Sequence, residues 1–213
     1  TDVEGSNNFA GGTGSGFRVQ GYDNVALGPY AGTTVVGDGN LAFGNSAGVK
    51  VTGVANLAIG SGAGSSATGN QNVAVGPGAG SEVTGEVNGA LGTAAGTRVN
   101  GTANFALGVV AGSDVEGTGN LALGAASGSR VIGLTNIAIG AAAGTDIDAS
   151  NTLAIGTASL ANAAQAIAIG SGELDPKDGS ILRKGAQAIS QNAIAVGAQS
   201  VADADNAIVL GSW

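Results

Sequence analysis

The sequence predicts an all-β fold, a parallel β-roll solenoid of short coils, on the strength of three columns that share one period. Asparagine recurs every sixteen residues at Asn8, Asn24, Asn40, Asn56, Asn72, Asn88, Asn104, Asn120 and Asn136. An alanine column runs at the same period from Ala10 to Ala154, and a glycine column from Gly12 to Gly156. A period this short and this strict marks a solenoid in which each repeat is one coil stacked on the last. Composition removes the other readings of a chain with 41 glycines in 213 residues. Collagen needs glycine at every third position with abundant proline, and there are only 3 prolines. Disorder needs low hydrophobicity, whereas 43% of these residues are apolar and regularly placed.

One coil reads Asn-Φ-Ala-Φ-Gly-x-x-Ala-Gly-x-z-Val-x-Gly-x-x, with Φ aliphatic or Phe; Asn56 to Gly64 is a clear copy. Alternation sends the two Φ side chains to one face of a strand and the alanine to the other. Both faces are apolar, so the strand must be covered on both sides. Which face lines the roll and which faces a neighbour stays open at this level. The run through Val51, Val83, Val99, Val115, Val131 and Ile147 is β-branched with polar flanks, a second short strand with one wet face. Glycines from Gly12, Gly16 and Gly21 onward close the strands and supply the positive φ of tight corners. The asparagines form a ladder along the coil axis. So thin a roll buries little per coil, and the doubly apolar strand therefore predicts an obligate oligomer.

The spacing changes late in the chain. Ala154-Ile155-Gly156 and Ala168-Ile169-Gly170 are fourteen apart, as are Asn192-Ala193-Ile194 and Asn206-Ala207-Ile208. The reading is residues 1–170 as head coils, 171–191 as a charged insertion loop, and 192–213 as last coils. The insertion holds Glu173, Asp175, Lys177, Asp178, Arg183 and Lys184, and Pro176 with Asp178-Gly179 marks it as an excursion. Such an insertion projects to bind a ligand, or else folds onto a neighbouring subunit or caps the end of the roll.

With no Cys and no His, disulfides, thiolate metal sites and Ser-His-Asp or Cys-His catalysis are all excluded. No Gly-Gly-x-Gly-x-Asp calcium-roll repeat and no phosphate-cradling Gly-x-x-x-x-Gly-Lys-Ser/Thr occurs. We therefore expect no enzyme activity, cofactor or metal. The formal charge of -8 argues against nucleic acid or an anionic lipid surface as partner. No run of ~18 apolar residues exists, so no direct membrane contact is expected. The absence of methionine, even at position 1, reads as a partial or processed chain.

The motif Asn192-Ala193-Ile194-Ala195-Val196-Gly197-Ala198-Gln199-Ser200, matched by Ala166 to Gly172 and Asn136 to Gly140, resembles the head repeat of trimeric autotransporter adhesins, the YadA-like family. Ser200 to Ser212 resembles the segment leading into that family's neck. The resemblance implies a left-handed parallel β-roll with three chains packed about a common axis. It implies display on the outer membrane surface of a Gram-negative bacterium and attachment to extracellular matrix proteins of the collagen, fibronectin or laminin class, or to host cell receptors. The departure is coil length, since the family's commonest repeat has fourteen residues and most coils here have sixteen.

Within the coil, Arg18, Thr34, Lys50, Ser66, Glu82, Arg98, Asp114, Arg130 and Asp146 form a polar column of mixed sign. It is the candidate ligand-facing surface, together with the charged residues of the insertion. Thirteen or so turns at ~4.8 Å would extend on the order of 60 Å, suited to a rod-like ligand met by many weak contacts. Two other functions fit a solenoid: a structural spacer in a surface fibre, or an ice-binding β-solenoid. The column Thr33, Val49, Ser65, Ser81, Thr97, Ser113, Ser129, Thr145 is the nearest approach to an ice-binding rank, and serine dilutes it.

Overall fold

A computed structural model describes residues 2–211. Thr1, Ser212 and Trp213, the outermost positions of the first and last assigned segments, lie outside the described residues. Two compact units are present, Thr1–Asn104 and Phe105–Trp213, and they divide within the head segment 1–170. Each is a parallel β-solenoid, and the described residues contain no helix. The Φ-Ala-Φ triplets give six coil strands in the first unit, from Phe9–Gly11 to Gly89–Leu91. Seven follow in the second, from Phe105–Leu107 to Ile208–Leu210. Pairing is parallel and in register, as in Leu121↔Ile137, Ala122↔Ala138 and Leu123↔Ile139.

The structure resolves which face of this strand is the inside. The alanines point inward: Ala26, Ala42, Ala58, Ala74 and Ala90 are buried, as are Ala122, Ala138 and Ala154. Opposite them stand the inward residues of the second strand, Val19, Val35, Val51, Val83 and Val99, then Val115, Val131 and Ile147. The interior is one small side chain thick. At Gly64 an added Cβ would lie 2.8 Å from the Ala58 Cβ, so neither position has room to grow. The two Φ columns therefore face outward.

The backbone turns by left-handed residues. The three glycine columns have positive φ, as at Gly60 (φ 127), Gly64 (φ 61) and Gly69 (φ 126). At Gly69 an added Cβ would sit 1.9 Å from the Gly85 carbonyl oxygen, because consecutive coils lie backbone to backbone there. Three further positions per coil are left-handed without needing glycine: Tyr30, Thr34 and Asp23 represent them, at φ 57, 61 and 58. Sequence reasoning missed these columns. The turned-over amide of each Thr34-type residue bonds along the axis, so Lys50 N donates to Thr33 O at 2.8 Å.

The asparagine ladder is buried and saturated. Asn40 Oδ1 accepts from Asn56 N (3.1 Å) and Asn56 Nδ2 (2.9 Å), while Asn56 Nδ2 also donates to Gly69 O at 2.9 Å. The same three bonds recur at Asn72 and Asn88. Not every asparagine of the motif belongs to it. Asn151, Asn192 and Asn206 occupy the left-handed position one residue earlier (φ 61, 56 and 60), and the ladder site behind them is Thr152 or Ala193, both buried, or half-buried Ala207.

Coil length changes at one corner. Between the outward Ile139 and the inward Ile147 lie residues 140–146; between Ile155 and the inward Ala161 lie only 156–160. Gly144 N donates to Ser159 O, which fixes the alignment: Gly144 to Asp146 gives way to Leu160 alone. The two residues by which most coils exceed fourteen thus lie in the corner after the apolar strand.

The insertion enters at this corner too. Ile167 pairs Ile194 across 27 positions, whereas Leu153↔Ile167 and Ile194↔Ile208 span fourteen. The excess is a β-hairpin, Glu173–Leu174 antiparallel to Ile181–Arg183. The segment 171–191 is thus not a loop throughout. Gln187–Ala188 is a coil strand paired with Leu160–Ala161 and Val201–Ala202, because inward Ala186 and Ala188 continue the alanine interior.

Candidate functional site

The polar column is built by the two extra residues, which is why it exists only where coils have sixteen. In the first unit Arg18, Lys50, Glu82 and Arg98 are exposed at left-handed φ of 57, 57, 59 and 55. In the second unit Asp114, Arg130 and Asp146 hold the same position at φ 58, 55 and 58. In the second unit these three stand on successive coils; in the first, Thr34 and Ser66 intervene, so Arg18, Lys50 and Glu82 stand two coils apart. The Arg18 guanidinium carbon lies 5.1 Å from the Phe17 ring centroid, a cation–π contact.

Opposite charges on successive coils pair with each other. Arg130 Nε donates to Asp146 Oδ1, and Arg130 Nη2 donates to Asp146 Oδ2 at 2.6 Å, a two-toothed ion pair. The hydrogen bond from Arg130 holds the Asp146 carboxyl below its ordinary value, and the bond to Asp146 raises the Arg130 guanidinium. Both side chains remain largely exposed.

The hairpin gathers the other candidates. Arg183 pairs with Glu173 at 3.6 Å across its two strands. Asp175 Oδ1 accepts from Lys177 N and Asp178 Oδ1 from Ser180 N, both at 2.8 Å, so these carboxylates shape the turn. The Ser180 hydrogen bonds lower the Asp178 pKa. Lys177 and Lys184 form no ion pair among the described residues. Ion pairs thus join Arg130 to Asp146 in the column and Arg183 to Glu173 in the hairpin.

The most extended feature of the surface is apolar. On the outward side of the coil strands, Leu27, Leu41, Ile59 and Val73 are at least about one-third exposed, as are Phe105, Leu107 and Ile169; Ile208 and Leu210 reach 65% and 73%. Successive Φ residues stack in register, so each unit presents two adjoining aliphatic columns. Sequence reasoning found the residues but could not assign them a face.

The candidate ice-binding column is half-buried along most of its length. Ser113 and Ser129 are buried, and the serine hydroxyls bond to corner carbonyls: Ser81 Oγ donates to Gly62 O (3.1 Å) and Gly78 O (3.0 Å). The outward rank of the second strand is Val36, Thr52, Thr68, Thr84, Asn100, three threonines bracketed by other residues. Among the described residues no three carboxylates converge as metal donors, and no buried side-chain nitrogen or oxygen lacks a hydrogen-bond partner. Comparison with known proteins adds no relative: no family model matches the chain, and no curated protein is significantly similar to it.

Proposed function

We propose that this chain is the non-enzymatic head of a bacterial surface adhesin, a left-handed β-roll of which three copies pack about a common axis. One observation carries the assembly: the apolar coil strands turn their large Φ side chains outward and only their alanines inward, against the buried valine column. A monomer rarely leaves apolar patches beyond a few hundred Å² open to water, and such faces mark interaction sites. Repeated columns suit a closed symmetric assembly, in which the same strip meets the next copy at every coil.

Attachment then falls to the polar corners, which stay in water once the Φ face is covered. The ligand class is a matrix protein of the collagen, fibronectin or laminin kind, or a host cell receptor. Exposed Arg18 and Lys50 can repeat a weak contact along a fibre and gain by avidity. Display outside the cell on the outer membrane belongs to the same reading. The test is retention of purified chain on surfaces coated with collagen, fibronectin or laminin against an albumin control. Salt-sensitive retention that falls in Arg18→Glu/Lys50→Glu supports the head, and retention no greater than on albumin overturns the adhesin assignment.

A spacer function is the second reading, favoured by the Arg130–Asp146 pair, which satisfies two corner charges within the chain itself. A spacer assembles through the same face and binds none of these coatings.

A further inference from the structure

We infer that the hairpin Glu173–Arg183 with Lys184 is a strap that docks on a second copy of this chain, at the edge carrying Asp203 and Asp205. The inference rests on the reading that copies assemble through the outward Φ face, and it adds which parts meet at the rim of that interface.

Among the described residues the hairpin strands pair only with each other. Its two strands pack on each other and not substantially on any coil strand there. Ile181, Leu182 and Arg183 are all exposed and Leu174 is half-buried, so the second strand of the ribbon is open on both faces. A two-stranded ribbon is marginal in water without a surface to lie on. With Ile181 46% and Leu182 54% exposed, the ribbon has apolar contact to offer.

Its root points to the occupant. Gly172 N donates to Thr157 O and Gly185 N to Ala158 O, so the hairpin leaves the coil at the corner directly after the apolar strand Ile167–Ile169. The root therefore borders the Φ face on the strand-end side. A three-fold ring is heterologous: the strand-end edge of one copy meets the strand-start edge of the next. On the strand-start edge, the corner before Ile208–Leu210 holds exposed Asp203 and Asp205. The segment carries three cations and three carboxylates; Glu173 pairs with Arg183, Asp175 and Asp178 accept from turn amides, and Lys177 and Lys184 are left without an ion pair among the described residues. The ribbon thus brings unpaired cations to the rim of a face shared with an acidic copy.

The test places a photo-crosslinking amino acid at Leu182 in the full chain and mixes isotopically heavy and light protein. The mass of the same sample is read by light scattering. The expected result is a three-chain mass, heavy-to-light cross-linked peptides, and attachment near Asp203–Asp205. Lys177→Glu with Lys184→Glu should lower that yield about fivefold or more, with the β-sheet circular dichroism unchanged. A three-chain mass with cross-links only within one chain, or with none, overturns the strap and leaves the assembly standing. A one-chain mass overturns both.

Discussion

Thr152 closes the ladder that Asn136 continues: its N and Oγ1 donate to Asn136 Oδ1 at 3.1 and 2.8 Å. It meets both demands of the acceptor and passes nothing onward. In the next coils Ala166, Ala193 and Ala207 satisfy their amides within their own turn, by bonds to Ala163 O, Ser190 O and Ala204 O. Asn72→Ala would remove the acceptor for Asn88 N and Nδ2 and the donor to Gly85 O. Leaving such buried groups unpaired costs about 2–4 kcal/mol, whereas Thr152→Val, which loses one bond, costs about 1 kcal/mol. Urea unfolding of the two variants checks the order.

The direction of the side chains separates folding from assembly. Ala138→Leu forces a large side chain into an interior one residue thick and should cost on the order of 3 kcal/mol or more. Ile139→Asp places a carboxylate on the outward face, and a folded solenoid that no longer assembles is expected. Circular dichroism with light scattering distinguishes the outcomes; an Ile139→Asp chain that unfolds would show that the face is misassigned.

Glycine is needed at some corners and not at others. Gly85→Ala would set a Cβ 1.9 Å from Gly101 O and should lower stability by more than about 3 kcal/mol. At Gly62 nothing lies within 4 Å of the added Cβ, and Ser46 and Ala94 hold the same place at positive φ. Gly62→Ala should cost about 1 kcal/mol, the ordinary strain of a left-handed residue. Thermal unfolding of the pair tests the contrast.

The Arg130–Asp146 pair gives a small pH signature. Asp146 has a lowered pKa when folded, so its stabilisation is present above the unfolded value, about 3.9. It is lost as pH falls through the lower folded value. Both groups are exposed, so the contribution stays within about 1 kcal/mol and fades with salt. Wild type should exceed Arg130→Gln in denaturant midpoint at pH 6 in low salt, and the two should converge near pH 2.

The sixteen-residue register, both strands and the glycine corners were legible because backbone ladders demand identical residues at identical places. The facing of Φ and Ala was not, since alternation separates two apolar sets without saying how thick the interior is; the approach of Gly64 to Ala58 decides that. Nor did residue type reveal the left-handed columns, where Arg18, Tyr30 and Val87 sit at positive φ under the constraint of coil stacking. Glu173 to Lys184 stood out by charge and turn residues, but the return of Gln187–Ala188 to the coil shows only as alanine spacing. The candidate column was legible as exposed and polar, while the Arg130–Asp146 pairing required knowing that the corner brings successive coils within contact.

The outward Φ columns carry the account, and the mass of the chain in solution by multi-angle light scattering tests them most directly. A mass near three times 19.9 kDa is expected. A stable, folded monomer of 19.9 kDa would contradict the assembly and the adhesin head built on it.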